Sequence, residues 1–243
     1  MENAATLKHP PLMLKIGNFL FTYRNKIFPL IYLVAFLIFP PSESHELRTL
    51  GFIVAGIGQL TRAAVIGFAY IKRGGLNKKV YADNLVTTGF FGVCRNPLYV
   101  GNILMVIGLL LIHGNPELII IGSALFVFIY YCIVFAEENY LQDKFGGGFA
   151  EYCRDVPRWI PEFKNFKSST EGMEFNFRRV LLKDYSTFAS WSAFAILLVM
   201  YENYLDDISF WEAENMYAIL ALVAVVGFAY GIKYLKKSGK LVE

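Results

Sequence analysis

Six long apolar segments restrict what this chain can fold into more than any other feature of its sequence. A helix needs about 17–25 apolar residues to cross a bilayer. The chain of 243 residues is 56% hydrophobic and only 18% charged, which is more apolar than a soluble domain of this size requires. We therefore predict an all-α, polytopic membrane bundle, with spans at about 27–40, 49–71, 98–113, 117–137, 186–202 and 215–233.

The charges between these spans alternate, and the alternation predicts an orientation. The first, third and fifth loops are acidic or carry almost no basic residue. The basic residues collect on the other side: Lys8, Lys15, Arg24, Lys26, Lys72, Arg73, Lys78, Lys79, Lys144, Arg154, Arg158, Lys164, Lys167, Arg178, Arg179, Lys183, Lys233, Lys236 and Lys237. Because basic loops stay in the cytoplasm, both termini and the stretch 138–185 are expected there.

The same topology excludes several kinds of site. His9 is predicted inside, and His45 and His113 outside, so the three histidines cannot share one centre. The sequence has no C-x-x-C pair, no H-E-x-x-H, no P-loop and no strand-bound G-x-G-x-x-G. We expect no metal and no nucleic-acid partner. Three scattered cysteines are too few for a disulfide framework.

A charged, proline-broken box, Arg95 to Gly101, opens the third span. Pro97 suits the first turn of a helix, whose free N–H groups and dipole favour a carboxylate. Arg95 adds a planar fork for the same ligand. Tyr99 could stack or donate a hydrogen bond, and Gly101 would admit a ligand or a neighbouring helix. The alternative is a capped helix with a snorkelling Arg and an interfacial Tyr.

A second box, Glu137 to Pro161, follows the fourth span. Two adjacent acids at a helix C-terminus are disfavoured by the helix dipole, so a cation should compensate them. Spans three and four form a hairpin, which returns Glu137 and Glu138 to the level of Arg95. The residues thus predict either one shared cytoplasmic pocket or a plain Arg–Glu salt bridge that closes the hairpin.

Two polar residues, Gln59 and Arg62, lie near the middle of the second span. An Arg at that depth is costly, and it is usually functional or paired. It would face the bundle interior and bind a carboxylate or phosphate, or serve as the structural partner of a helix carbonyl or acid. In the connector 162–185, the part from Phe175 to Tyr185 is either an amphipathic surface helix or a solvated linker.

Many fixed spacings between 50 and 161 agree with one known pattern. The matching residues are Arg95, Pro97, Tyr99, Gly101, Asn115-Pro116, Glu137-Glu138, Leu141, Phe145-Gly146, Tyr152, Val156-Pro157 and Pro161, preceded by Leu85 to Phe91. In this the chain resembles the isoprenylcysteine carboxyl methyltransferase family and the related membrane phospholipid methyltransferases. Asn96 replaces the His of the eukaryotic enzymes, as in bacterial relatives, so we expect a bacterial inner-membrane protein. The eukaryotic Arg before the acids has no counterpart between Tyr130 and Glu137.

The resemblance implies a methyltransferase that uses S-adenosylmethionine on a lipid-like or isoprenoid acceptor from the bilayer. It implies a cofactor site made of Arg95, Asn96, Pro97, Leu98, Tyr99, Gly101, Glu137, Glu138 and Tyr152. Phe90 and Phe91 could also pack near the adenine or the sulfonium. Arg62 and Glu138 are the predicted catalytic residues, with Arg62 and Gln59 at the acceptor head group.

The chain is expected to divide into four parts. These are an N-terminal segment with the first span (1–48), a methyltransferase core (49–161), a cytoplasmic connector (162–185) and a two-span hairpin (186–243). Short helices from 138–160, joined at Gly146 to Gly148, should cover the pocket.

Two other functions compete with the methyltransferase. Sterol reductases have a similar box and a similar Tyr-Cys…Val-Pro tail, which corresponds here to Tyr152-Cys153 and Val156-Pro157. They use NADPH, however, and are usually longer. A small transporter or structural membrane protein would explain the helices and Arg62, but not the matching spacings on one face. Binding of S-adenosylhomocysteine, of NADPH or of neither separates the three.

Overall fold

The part of the chain that the structure describes is helical, as predicted. The structure is a computed structural model that describes residues 11–42, 44–68, 82, 84–206, 208–209 and 211–242. No strand occurs among these residues. The helices are α1 (Pro11–Ile38), α2 (His45–Phe68), α3 (Pro97–His113), α4 (Pro116–Phe145), α5 (Gly147–Asp155), α6 (Phe166–Ser169), α7 (Phe177–Leu205) and α8 (Ala213–Lys237), with 3-10 turns at Gly89–Gly92 and Phe163–Asn165.

Four of the helices are long and apolar enough to cross a bilayer: Leu12–Ile38 of α1, α2, α4 and α8. Helix α3 is apolar but has only 17 residues. Helix α7 has 29 residues, and its first half mixes hydroxyl, aromatic and charged side chains. An integral membrane protein is therefore supported, while the count of six spans remains a prediction for α3 and α7.

Two helices extend beyond their predicted bounds. Helix α1 begins at Pro11 rather than near 27, because Leu20 and Phe21 continue its packed face and Arg24 lies over the Phe21 ring, 4.5 Å from the centroid. Helix α4 runs to Phe145, two turns past the predicted end. The predicted charges at Lys8, His9, Lys72, Arg73, Lys78 and Lys79 lie outside the described residues.

Most of the stretch from Phe175 to Tyr185, which was expected to be a surface helix or a linker, forms the first part of the long helix α7. Asn176 starts α7, where its side chain accepts a hydrogen bond from the Arg179 N–H at 2.9 Å. The helix then continues without a break to Leu205. Because the cap lies this early, the predicted boundary at 185/186 falls inside α7.

Glycines bring α2 and α3 into backbone contact. A Cβ on Gly58 would lie 2.6 Å from the Gly101 carbonyl oxygen, and one on Gly108 would lie 2.6 Å from the Gly51 oxygen. Small residues allow this approach where helices pack within a membrane. On the other side, α1 packs against α4 through an aromatic cluster in which the Tyr32 and Phe126 rings stack at 5.0 Å. Helix α7 packs against α2, α3 and α8.

Candidate functional site

The α3–α4 turn brings the two boxes to the same end of the bundle. Gly114 ends α3 in the left-handed conformation, at φ 77°. Asn115 caps α4 by accepting a hydrogen bond from the Leu118 N–H at 3.0 Å, and Pro116 occupies the first turn. The antiparallel hairpin returns Glu138 to the level of Arg95, as predicted.

The segment 156–162, which follows α5 and is called the strap here, lies across the first box. The Arg95 N–H donates to the Pro157 carbonyl at 2.8 Å, and the Glu162 N–H donates to the Val93 carbonyl at 2.9 Å. From α5, the Tyr152 hydroxyl donates to the Phe91 carbonyl at 2.7 Å. Helix α5 and the strap 156–162 therefore fix the backbone that leads into α3.

Glu138 lies at the centre of a buried charge cluster. Its Oε2 is 2.6 Å from Arg158 Nη2, and its Oε1 is 3.6 Å from Arg95 Nη1. Asn96 Nδ2 donates to the same Oε1 at 3.3 Å. Two guanidinium groups and an amide thus surround one carboxylate, which is 5% exposed. Sequence reasoning counted Arg158 only as a loop charge and missed this role.

Glu137 points to the other side of α4. Its Oε1 accepts a hydrogen bond from the Tyr99 hydroxyl at 2.6 Å, and the Tyr99 and Tyr130 rings lie 5.5 Å apart. Both acids lie inside α4, two turns before its end at Phe145. The expectation that the helix C-terminus opposes them was therefore wrong; arginine, asparagine and tyrosine side chains engage them for a different reason, their burial.

The first turn of α3 is enclosed rather than open. Pro97 is buried at its first position, and Leu98 packs against Phe91 and Val65. The Asn96 side chain makes no capping hydrogen bond to α3, because its amide is turned toward Glu138 and the Arg158 carbonyl oxygen. Side chains therefore pack around the expected carboxylate seat at this helix N-terminus, and Arg95 is the box residue that lines the neighbouring cavity.

An open cavity of about 550 Å³ lies beside Arg95. It is lined by Arg95, Cys153, Arg154, Asp155, Val156, Pro157, Glu162, Lys164 and Asn165. Glu137, Glu138 and Tyr152 are not among the lining residues. The structure therefore brings Arg95 and Glu138 together, but only Arg95 faces the cavity.

Arg95 and Cys153 form the wall of this cavity nearest the charge cluster. Arg95 Nη1 contacts Cys153 Sγ, while its buried Nε has no hydrogen-bond partner in the described part of the chain. Burial raises the pKa of the Cys153 thiol, against the opposing effect of the Arg95 charge. A thiol with a raised pKa brings no added negative charge to Arg95, whose ionic partner in the cluster is Glu138.

Arg62 lies in a saturated polar network between helices. Its Nε donates to Asp184 Oδ1 at 3.1 Å, and its Nη1 donates to Asn102 Oδ1 at 2.7 Å. Gln59 donates to Asp184 Oδ2 at 2.6 Å. This corresponds to the structural alternative, in which Arg62 is the partner of an acid. Asp184 was missed because that part of α7 was assigned to the connector. The available signal was that Asp184 is the one acid in the first half of this helix.

His113 lies at the end of α3 that is farther from Arg95. The His113 ring is fully buried and stacks on Phe36 with 4.6 Å between centroids. Across the described ranges, no group of three or more His, Cys, Asp or Glu side chains could hold a metal ion.

Comparisons with known proteins agree with the first and second boxes. Residues 48–148 match the sequence model of the phospholipid methyltransferase family. The cobalt-zinc-cadmium resistance protein CzcN of Cupriavidus metallidurans is 27% identical over 181 residues, which cover 70% of this chain and 78% of that protein. No solved structure gives a significant match.

Two further relatives match over shorter stretches. The nickel-cobalt-cadmium resistance protein NccN of Alcaligenes xylosoxydans xylosoxydans is 33% identical over 37% of this chain and 41% of its own length. Protein-S-isoprenylcysteine O-methyltransferase of Schizosaccharomyces pombe is 28% identical over 48% of this chain and 50% of its own length. The segment 48–148, which matches the phospholipid methyltransferase family model, contains the box at Arg95 and both acids of α4.

Proposed function

We propose that this chain is an integral membrane methyltransferase that uses S-adenosylmethionine and methylates a lipid-like or isoprenoid acceptor. The observation that carries the proposal is Arg95, whose charge borders a cavity of about 550 Å³ beside the family-matched boxes. Its buried Nε lacks a hydrogen-bond partner among the described residues. An arginine that lines a cavity and keeps one unused donor suits a carboxylate ligand.

The side chains around the cavity suit the charges of this cofactor. Arg95 would hold the carboxylate, and Asp155 and Glu162 on the same cavity would take the ammonium. Glu138 was predicted to contact the cofactor itself. In this proposal it acts indirectly, by orienting Arg95. Tyr152 would support the site through its hydrogen bond to Phe91.

When bound, S-adenosylmethionine supplies a methyl group activated by a sulfonium. The protein's own contribution is then to align donor and acceptor and to keep water out, since effective positioning can lower a barrier by about 7–11 kcal/mol. Such a displacement requires no general acid or base of the histidine type. The paired arginines and acids hold the cavity wall in one geometry before any ligand enters.

The acceptor class rests on the family and on one relative. The family is named for phospholipids, and the relative from S. pombe is named for an isoprenylcysteine. Both are amphiphiles, and we propose that such an acceptor enters the site sideways from the bilayer. Arg62 was predicted at the acceptor head group, and it could serve there only by exchanging its contacts with Asp184 and Asn102.

Binding of S-adenosylhomocysteine to the purified protein in detergent tests the cofactor assignment. We expect Arg95→Ala to weaken binding by about ten- to a hundredfold, because a charged hydrogen bond contributes roughly 1.5–3 kcal/mol. Arg178→Ala is the matched control, since Arg178 is exposed and lies away from this cavity. Binding of NADPH instead, or equal affinity in all three proteins, would contradict the assignment.

A labelled-methyl assay on total membrane lipids identifies the acceptor. The wild-type protein should transfer label to an extractable amphiphile whose mass increases by one methyl group. The Arg95→Ala protein should transfer much less at the same cofactor concentration. Label that stays in the aqueous phase would remove the lipid assignment.

A further inference from the structure

The C-terminal helices α7 and α8 lie beyond the family match, yet α7 is joined to α2 by two ion pairs. At one end Arg62 pairs with Asp184, and at the other Arg48 Nη2 lies 2.9 Å from Glu202 Oε2. Both arginines come from α2 and both acids from α7. The acids are nearly buried, at 1% and 3% exposure. The charges therefore fix the register of two antiparallel helices.

Both carboxylate oxygens of Asp184 accept hydrogen bonds from donors of α2. Oδ1 accepts from Arg62 Nε at 3.1 Å and also contacts Nη2, while Oδ2 accepts from Gln59 Nε2 at 2.6 Å. Gln59 is held in turn by the Trp191 indole, which donates to its Oε1 at 2.9 Å. Because the network is complete, Arg62 has one orientation and cannot turn away without leaving a buried carboxylate unpaired.

That orientation places Arg62 directly on the first box. A Cβ on Gly101 would lie 2.7 Å from Arg62 Cγ, so the arginine stem crosses the surface of this glycine. The guanidinium then reaches the next residue, where Nη1 donates to Asn102 Oδ1 at 2.7 Å. The start of α3, which contains the last residues of the first box, is thus held by Arg62. The position of Arg62 depends in turn on α7.

We propose that Asp184 is a positioning residue for the cofactor site. It holds Arg62 against Gly101 and Asn102, and so sets how α3 presents the box to the cavity at Arg95. The inference rests on the proposed methyltransferase function. It gives the α7–α8 pair a role that neither the sequence nor the family match assigns.

The test compares the two ends of α7 in the full-length protein. Asp184→Asn and Glu202→Gln each neutralise one buried acid, and both should lower Tm. Only Asp184→Asn should weaken S-adenosylhomocysteine binding, by about threefold to thirtyfold, the range seen for coupling through contact networks. Asp184→Glu keeps the charge but displaces it, and it should weaken binding with a smaller loss of Tm. Equal affinity in all variants would overturn the proposal.

A double variant asks whether Asp184 acts through Arg62. If it does, Arg62→Leu with Asp184→Asn binds no more weakly than Arg62→Leu alone. Additive losses would overturn the proposed route.

Hydrogen exchange at Tyr99 to Gly101 provides a readout that needs no cofactor. It should accelerate in Asp184→Asn and not in Glu202→Gln. If the wild-type protein binds no S-adenosylhomocysteine but the exchange differs in this way, the proposed function fails while the coupling stands. Unchanged exchange in both variants would refute the coupling.

Discussion

Glu138 holds two arginines at once, and this determines what its loss should do. Replacing it with Gln removes the charge that opposes Arg158 at 2.6 Å and Arg95 at 3.6 Å. We expect the freed guanidinium groups to repel each other and S-adenosylhomocysteine affinity to fall by about tenfold, the effect of 1.4 kcal/mol. Isothermal titration measures the change.

Asp143→Asn is the control for that substitution. Asp143 is an exposed acid on the same helix, with a hydrogen bond from Asn139 at 3.1 Å. Its neutralisation should leave affinity unchanged. If Glu138→Gln binds as tightly as this control, the charge cluster does not position Arg95.

Cys153 offers a chemical probe of the cavity. Its thiol is half-buried on the cavity wall, whereas Cys94 and Cys132 are fully buried. The thiolate is the reactive form, and burial raises the pKa of Cys153 above its usual value. Alkylation by a maleimide should therefore be slow at pH 7 and still accelerate above pH 9.

S-adenosylhomocysteine should slow the alkylation of Cys153, because both would occupy the space beside Arg95. Mass spectrometry locates the modified residue, and Cys153→Ser should abolish the labelling. Burial raises the pKa of Cys94 to about 11, so that thiol should remain unmodified. Equal labelling rates with and without the nucleoside would place its binding elsewhere.

At the scale of elements, the contact between α2 and α3 leaves no room for side chains. Gly58→Ala would put a Cβ 2.6 Å from the Gly101 oxygen and 2.8 Å from the Met105 nitrogen, both backbone atoms. Separating the helices should cost about 1–3 kcal/mol and lower Tm by several degrees. Thermal denaturation in detergent measures this.

Gly56→Ala is the matched control on the same helix. A Cβ at Gly56 meets nothing within 4 Å, and Ala is the better helix former by about 1 kcal/mol. This variant should be as stable as the parent or slightly more so. Equal destabilisation by both substitutions would show that the close contact between Gly58 and α3 is not what makes this position sensitive.

Element positions were predictable where the sequence contains a local signal. Gly114, Asn115 and Pro116 mark the α3–α4 turn, and the turn lies there. The end of α4 was not predictable in this way, because polar residues after Glu138 continue the helix as readily as they end it. Asn176 is a good cap, but so are many loop asparagines, and only packing against α2 selects it.

Side-chain pairing across the bundle was less accessible from the sequence. The closeness of Arg95 and Glu138 followed from the hairpin alone. The pairing of Arg62 with Asp184 spans 122 residues and depends on which face α7 turns to α2. No local pattern encodes that rotation, so sequence reasoning named an acid as one alternative partner of Arg62 but could not identify Asp184.

At the scale of the whole molecule, the charge alternation predicts that both termini lie in the cytoplasm. A fluorescent protein fused after Lys237 should therefore fold and fluoresce, and alkaline phosphatase at the same point should be inactive. Fusions after Asn115 should give the reverse result. An active phosphatase after Lys237 would require an odd number of crossings or the opposite orientation.

The ion pairs between α2 and α7 also have a consequence for biosynthesis. Arg62 leaves the ribosome 122 residues before Asp184. Until then, α2 carries an uncompensated charge that costs about 2.5–3.5 kcal/mol at the centre of an inserted helix. We expect nascent α2 to remain at the translocon until α7 has been synthesised. Messages truncated before codon 184 should therefore yield products that quality-control proteases degrade.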